Sequence, residues 1–279
     1  MRTSPSRTAE WMCLARALEQ RRPVEQRIVD DPLAANFLGP FSRSARVWGR
    51  SWLASNLFPA TLLHYVLVRQ RFTDDHLAGA LATGVRQLVV VGAGYDTRAW
   101  RFADRLDVAF EVDHPATAGR KERLLETLDL PEVDRRAIAA DLASADLGAV
   151  LRDAGFDGAR PTFFAWEGVT MYLSRDAVLQ TLRTIRGLMA PGSALALDLW
   201  WHSQETGAAG ALWRAAPGLL GALGEALDFQ CRPQDAAALL AQAQLGPVEV
   251  VHGTALDDRY VPDHRRVFPN CCLVLARPL

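Results

Sequence analysis

Three carboxylates each close a short apolar run. Asp113 ends "VAFEVD", Asp141 ends "AIAAD", and Glu167 follows "TFFAW". A fourth apolar run, "LVVV", stops at Gly92-Ala93-Gly94. Glycines at such a turn let the backbone approach a ligand closely and adopt dihedrals other residues avoid. A dinucleotide fingerprint reads GxGxxG/A. Here Thr97 stands where the third small residue belongs, which weighs against a bound pyrophosphate. Three acids gathered around a phosphate would also repel it. They suit a ligand with hydroxyls, an exocyclic amine and positive charge. S-adenosylmethionine has a ribose, an adenine amine, an ammonium and a sulfonium. Asp113 lies nineteen residues after Gly94, where an acid can accept hydrogen bonds from both ribose hydroxyls. Glu111 shares its strand face but lies one step deeper, so Asp113 is preferred.

Two further side chains are candidates for the chemistry itself. Tyr172 offers a hydroxyl to aim an acceptor, or else is a packing aromatic. His202, just past "LWW", could serve as a base. A phenol with pKa about 10 would need one, whereas a carboxylic acid with pKa about 4 is already ionised at neutral pH. The six histidines are scattered, with no pair four residues apart, and no metal site is expected. Cys13, Cys231, Cys271 and Cys272 form no CxxC pair. Free thiols in a reducing cytoplasm fit best. "NCCLVLA" reads as strand core. Trp48, Trp52, Trp200 and Trp201 could line an aromatic pocket or simply pack.

Elements must carry these residues to one place. "RQLVVVGAG", "DVAFEVDHP", "RRAIAADL", "PTFFAWEG" and "SALALDLWW" read as strands, the first a continuous apolar run as expected of a strand buried on both faces. Between them "YDTRAWRFADRL", "ATAGRKERLLETL", "SADLGAVLRDAGF" and "SRDAVLQTLRTIRGLMAPG" read as helices. Ser144 and Ser174 are the expected N-caps of the last two, and Pro191-Gly192 the stop. Alternation of this kind gives a doubly wound parallel sheet, with ligands beyond the C-terminal strand ends. "PVEVVHG" and "RRVFPNCCLVLARPL" have no helix between them in this reading, so an antiparallel edge pair is expected. Residues 9–82 show helical spacing. Trp52 to Val68 carries no charge, yet contains Asn56, Pro59 and His64 and is short for a membrane span.

Composition narrows the classes. The 279 residues include 49% hydrophobic and 23% charged side chains, an ordinary globular balance. A net charge of −1 provides no field for nucleic acid or anionic lipid. The N-terminus has no apolar core of secretory length. Neither a nucleic-acid partner nor a membrane is expected, and the oligomeric state is left open.

The pieces "VRQRFTDDHL", "GVRQLVVVGAGYDTRAWRF", "FEVDHPATAGRKERLL", "AADL" and "FFAWEGVTMYLSRDAVLQTLRTIRGLMAPGSALALD" run in order from Val68 to Asp198, a span of nearly half of the chain. In them the chain resembles the leucine carboxyl methyltransferase family. The likeness is to its bacterial branch of S-adenosylmethionine-dependent O-methyltransferases, which includes polyketide carboxyl methyltransferases. The resemblance implies an α/β, class I methyltransferase-like Rossmann fold. That fold is a doubly wound, mostly parallel seven-stranded sheet with an antiparallel C-terminal edge and an N-terminal helical lid. Separately from the resemblance, position and the apolar character of Trp52 to Val68 lead to the expectation of a helical lid over residues 1–84 with a second wall over 201–228, a cofactor-binding core over 85–200, and a substrate-side helical insertion with closing strands of the same domain over 201–279. By the same resemblance Arg69 would meet the carboxylate of S-adenosylmethionine. Gly92, Ala93 and Gly94 would line its methionine and ribose side, and Asp113 would hold the ribose. Asp141 and Leu142 would flank the adenine, and Glu167 would lie near the ammonium. Asp96 and Arg98 would brace the loop. The acceptor expected is a small-molecule carboxylic acid, with a phenol as the alternative. A nicotinamide-dependent oxidoreductase and a non-catalytic cofactor-binding scaffold are the competing classes.

Overall fold

A computed structural model of the chain describes residues 6–38, 60–142, 144–201 and 227–279. Helix α1 spans Arg7–Glu19 and is capped by the Ser6 side chain, which accepts from Ala9 N. Helix α2 spans Ala60–Ala82. The period then changes. Strands β1 (Gln87–Val91), β2 (Val108–Asp113), β3 (Arg135–Ala139), β4 (Thr162–Trp166) and β5 (Ala194–Trp200) alternate with helices. These helices are α3 (Arg98–Arg101), α4 (Pro115–Leu125), α5 (Leu147–Asp153) and α6 (Arg175–Leu188). The chain closes with α7 (Ala236–Ala241), β6 (Leu245–His252), α8 (Thr254–Tyr260) and β7 (Cys271–Pro278).

The seven strands form one sheet in the order β3-β2-β1-β4-β5-β7-β6. The first five are parallel, and β7 runs antiparallel to both β5 and β6. Every residue of β1 and β4 is buried, as unbroken apolar strands covered on both faces must be. One face packs Val89, Val91, Phe110, Val112, Phe164 and Trp166 against α5, α6 and α7. The other packs Leu88, Val90, Ala109, Phe163 and Ala165 against α2 and α8. Because β1 pairs with β2 on one side and β4 on the other, the direction of winding switches between β1 and β4. A crevice at that switch is the usual ligand position.

Three local expectations are corrected. The helix read in "YDTRAWRFADRL" is a single turn, Arg98–Arg101, because the chain must turn back at once to start β2. Its return is pinned where Asp107 N donates to Arg86 O at 2.9 Å. Ser144 is not the cap of α5. The backbone turns on Asp141, whose carbonyl accepts from Ser144 N and Ala145 N, and the helix starts later. Asp146 supplies the cap, its carboxylate accepting from Ala149 N at 3.0 Å. Ser174 does cap α6. Finally, a helix does separate the last two strands. Gly253 adopts φ +60° and starts α8, which buries Leu256 and Tyr260, four residues apart, against the second core face.

Candidate active site

The glycine turn is folded across the end of β2. Gly92 N and Ala93 N donate to Val112 O at 2.8 and 3.0 Å, and Gly94 N donates to the Asp113 carboxylate. Asp113 also accepts from His114 N at 2.5 Å. Gly92 has φ +76°, and a Cβ there would run into Val169 of the segment after β4. Glycine is therefore demanded by backbone conformation and by close approach together. Asp113, Asp141, Leu142 and Glu167 all stand half-buried at or just past the ends of β2, β3 and β4. The parallel register carries them to one edge of the sheet. Glu111 belongs to the interior instead, where it is paired with Lys121 at 2.6 Å and Arg135 at 2.9 Å.

Arg98 organises the turn from below. Only 1% of it is exposed. Its guanidinium donates to Asp74 at 2.7 Å, Asp96 at 2.5 Å and Glu167 at 2.6 Å. Those acids come from α2, the glycine turn and the end of β4. Burial works against the charge on Arg98, but Asp96, Glu167 and Asp74 outweigh it and hold its pKa well above the ordinary arginine value. Burial likewise opposes the charge on Asp96, and Arg98 and Lys121 overcome it, so the carboxyl lies below the usual range. Glu167 receives Thr73 Oγ1 at 2.9 Å on its other oxygen. Each Glu167 oxygen keeps acceptor capacity for a further donor.

Arg69 sits on α2 beside the same edge. It donates to Asp198 at 3.0 Å and lies 3.9 Å from Glu167. Gly168 has φ +67°, and a Cβ there would stand 2.7 Å from Arg69 Nη1. Asp198 escaped the sequence reading. A lone acid in the apolar strand "ALALDLW" is the signal that could have found it. It is fully buried and accepts from Tyr65 Oη at 3.0 Å, Arg69 Nη1 at 3.0 Å, Trp200 Nε1 at 2.9 Å and Gly168 N at 2.7 Å. Tyr172, in the turn Thr170–Tyr172 after β4, is half-buried. Trp200 packs edge-on to Tyr65 and tilted against Phe268. Trp48, Trp52 and His202 lie outside the described residues, as does most of the expected second lid wall over 201–228.

Helix α1 lies over the glycine turn. Ala9 approaches Gly94, Arg16 Nη2 donates to Tyr95 O at 2.7 Å, and Glu10 pairs with Arg120 of α4. Beside Asp113, the Tyr95 hydroxyl and His114 Nε2 are buried without a hydrogen-bond partner among the described residues. Burial pushes the Tyr95 hydroxyl up to about 12. No group of three or more His, Cys, Asp or Glu among the described residues is placed to hold a metal ion. No helix among them is long and apolar enough to cross a membrane. The strand-end acids, the glycine turn and the unsatisfied polar atoms fit a polar, hydroxyl-bearing nucleoside.

Known proteins resemble the chain in sequence and in fold. The family model described as leucine carboxyl methyltransferase matches residues 9–186. A relative from Mycolicibacterium smegmatis, named as a candidate S-adenosyl-L-methionine-dependent methyltransferase, is 37% identical over 72% of this chain and 68% of its own length. Relatives from Frankia alni and Mycobacterium bovis are spanned over only 64% and 58% of theirs. Among solved structures, a DUF574 family protein from Streptomyces avermitilis superposes with a TM-score of 0.63. The match covers 99% of both chains at 16% identity. Magnesium protoporphyrin IX methyltransferase from Synechocystis, solved with bound S-adenosylhomocysteine, gives 0.51 over 85% of this chain and 93% of that one, at 12% identity. The structural likenesses establish the fold, and the sequence matches establish the kinship: the chain belongs to the leucine carboxyl methyltransferase family, a family of S-adenosylmethionine-dependent methyltransferases.

Proposed function

We propose that the chain is an O-methyltransferase that converts a carboxylate of a small molecule to its methyl ester. The observation that carries this reading is the glycine turn closed onto Asp113, with Asp141 and Glu167 delivered to the same sheet edge. Asp113 would accept from the ribose hydroxyls. Asp141 and Leu142 would bracket the adenine. Gly92, Ala93 and Gly94 would let backbone approach the ligand, and Glu167 would face the ammonium. Arg69 would take the carboxylate of the methionine moiety. When bound, S-adenosylmethionine supplies a methyl group activated as a sulfonium.

The protein's own part is to aim, to exclude water and to balance charge. In-line transfer needs the reacting atoms held at roughly 3–3.5 Å. A carboxylate acceptor is ionised at neutral pH, so no general base is required of the chain. Opposite charges cancel as such a transfer proceeds, and a dry pocket favours that change. Tyr172 would offer a hydroxyl to orient the acceptor, and α1 with α2 would cover the cofactor side. A phenolic acceptor would instead demand a base, for which His202 is the candidate.

Calorimetric titration with S-adenosylhomocysteine, and in parallel with NADH and NADPH, tests the cofactor. Binding of the first alone is the expected outcome, and binding of a nicotinamide would overturn the reading. A screen of carboxylic acids and phenols with methyl-labelled cofactor then tests the acceptor. Label released by mild base, as from an ester, is expected. Base-stable label on phenols, lost in His202→Ala, would refute the carboxyl assignment.

A further inference from the structure

The buried Asp198 carboxylate gathers donors from three separate elements. Tyr65 and Arg69 come from α2, Gly168 from the segment after β4, and Trp200 from the end of β5 itself. Its backbone carbonyl takes a further bond from Thr170 Oγ1 at 2.9 Å. Oδ2 alone receives Tyr65, Arg69 and Trp200, while Oδ1 receives Gly168 N. A buried charge is tolerated only when paired and hydrogen-bonded, and here one cation and three neutral donors do both.

The arrangement is directional. Every donor converging on Asp198 belongs to a segment bordering the candidate site. Arg69 is the proposed cofactor-carboxylate residue. Gly168 directly follows Glu167. Trp200 closes β5 with Tyr65 and Phe268 against its indole. Nothing but an ionised carboxylate satisfies all four donors. An asparagine would turn an NH2 either towards Gly168 N–H or towards the three donors at Oδ2, leaving donors facing one another.

We infer that Asp198 is a positioning residue: it sets the Arg69 guanidinium for the cofactor, with the same oxygen anchored by the Trp200 indole at the end of β5. The inference rests on the proposed role of Arg69 in cofactor binding. Asp198 touches no reacting atom and acts through its partners.

A double-mutant cycle on the full chain tests it, using Asp198→Asn, Arg69→Gln and their combination, read by calorimetric titration with S-adenosylhomocysteine. Each single variant is expected to weaken binding by about tenfold or more, the scale of a hydrogen bond to a charged group. The double variant is expected to be no more than about twofold weaker than the weaker single, because residues acting through one contact are not additive. Tyr65→Phe is the control. It removes one bond to Asp198 and no proposed ligand contact, so it should lower the melting temperature and leave binding within about twofold. Fully multiplicative losses, or wild-type affinity in a folded Asp198→Asn, would overturn the inference while leaving the methyltransferase reading intact. Absence of binding by the wild-type chain would instead sink that reading, and this inference with it. If Asp198→Asn does not fold, Arg69→Lys decides. It keeps the charge but not the planar fork, so affinity should drop about fivefold or more if Asp198 works by orienting that fork. Unchanged affinity would overturn the inference.

Discussion

Asp113 illustrates what a single residue at a strand end can be asked to do. Its carboxylate is already drawn to Gly94 N–H and His114 N–H, so it is oriented before any ligand arrives. Asp113→Ala should therefore weaken S-adenosylhomocysteine binding by roughly 1.5–3 kcal/mol, the worth of hydrogen bonds to a charged group. Calorimetry that shows unchanged affinity would remove Asp113 from the site. Arg98 makes a different prediction, because its partners are all inside the protein. Replacing it by Met would leave Asp74, Asp96 and Glu167 short of a buried cation. Removing one partner of a buried ion pair costs about 3–5 kcal/mol. Urea unfolding of Arg98→Met should show a loss of that order, and a loss below about 1 kcal/mol would mean that Arg69, Arg101 and Lys121 re-cover the exposed charges. The strand-end acids and the two glycines were legible in the sequence, since each sits where an apolar run stops. Asp198 was not. Its partners lie 30 to 133 positions away, apart from Trp200, and no local spacing announces such a convergence.

At the scale of elements, α2 ties the sheet to the site, and it also carries two histidines with a common perturbation. Burial lowers the pKa of His64 despite the bond to Arg266 O, and burial lowers that of His76 despite the nearby Glu249. A histidine held below its unfolded value of about 6.5 stabilises the fold fully above that pH. Acidification below it protonates the unfolded chain first, so stability falls as pH drops through the folded values. Urea midpoints should be lower at pH 5.5 than at pH 7.5, and the His64→Gln, His76→Gln double variant should flatten the difference. A midpoint that rises on acidification would contradict this sign. The order of strands and helices was readable because hydrophobic period changes sharply between "VVV" runs and the longer amphipathic segments. Short elements were not. Helix α3 is one turn long, and α8 shows only Leu256 and Tyr260 as its apolar stripe, too little to compete with a loop reading of "TALDDRY". The cap of α5 moved from Ser144 to Asp146 because Asp141 holds a turn whose extent the sequence does not mark.

Across the whole molecule, four buried thiols sample regions far apart. Cys13 is on α1, Cys231 precedes α7, and Cys271 and Cys272 open β7 in the middle of the antiparallel edge. Burial pushes Cys13 and Cys231 up to about 11, and Cys271 and Cys272 higher still. Only a thiolate attacks an alkylating reagent, so none should react from the folded state. Reaction must wait for opening, and its rate reports how much of the fold opens. A ligand that binds only the folded chain, supplied at 100 times its Kd, adds about 2.7 kcal/mol and so suppresses global opening about a hundredfold. With S-adenosylhomocysteine at that excess, iodoacetamide labelling of Cys271 and Cys272 should slow by about this factor. Cys13 is the discriminating site. Helix α1 is fastened across the glycine turn by Arg16, and to α4 by Glu10–Arg120 and Ser6–Thr117. If those contacts make α1 part of the same cooperative unit, Cys13 slows in step with β7. If Cys13 instead reacts first and slows less, α1 opens over the cofactor side while the sheet stays intact, and the helix is a separately moving cover.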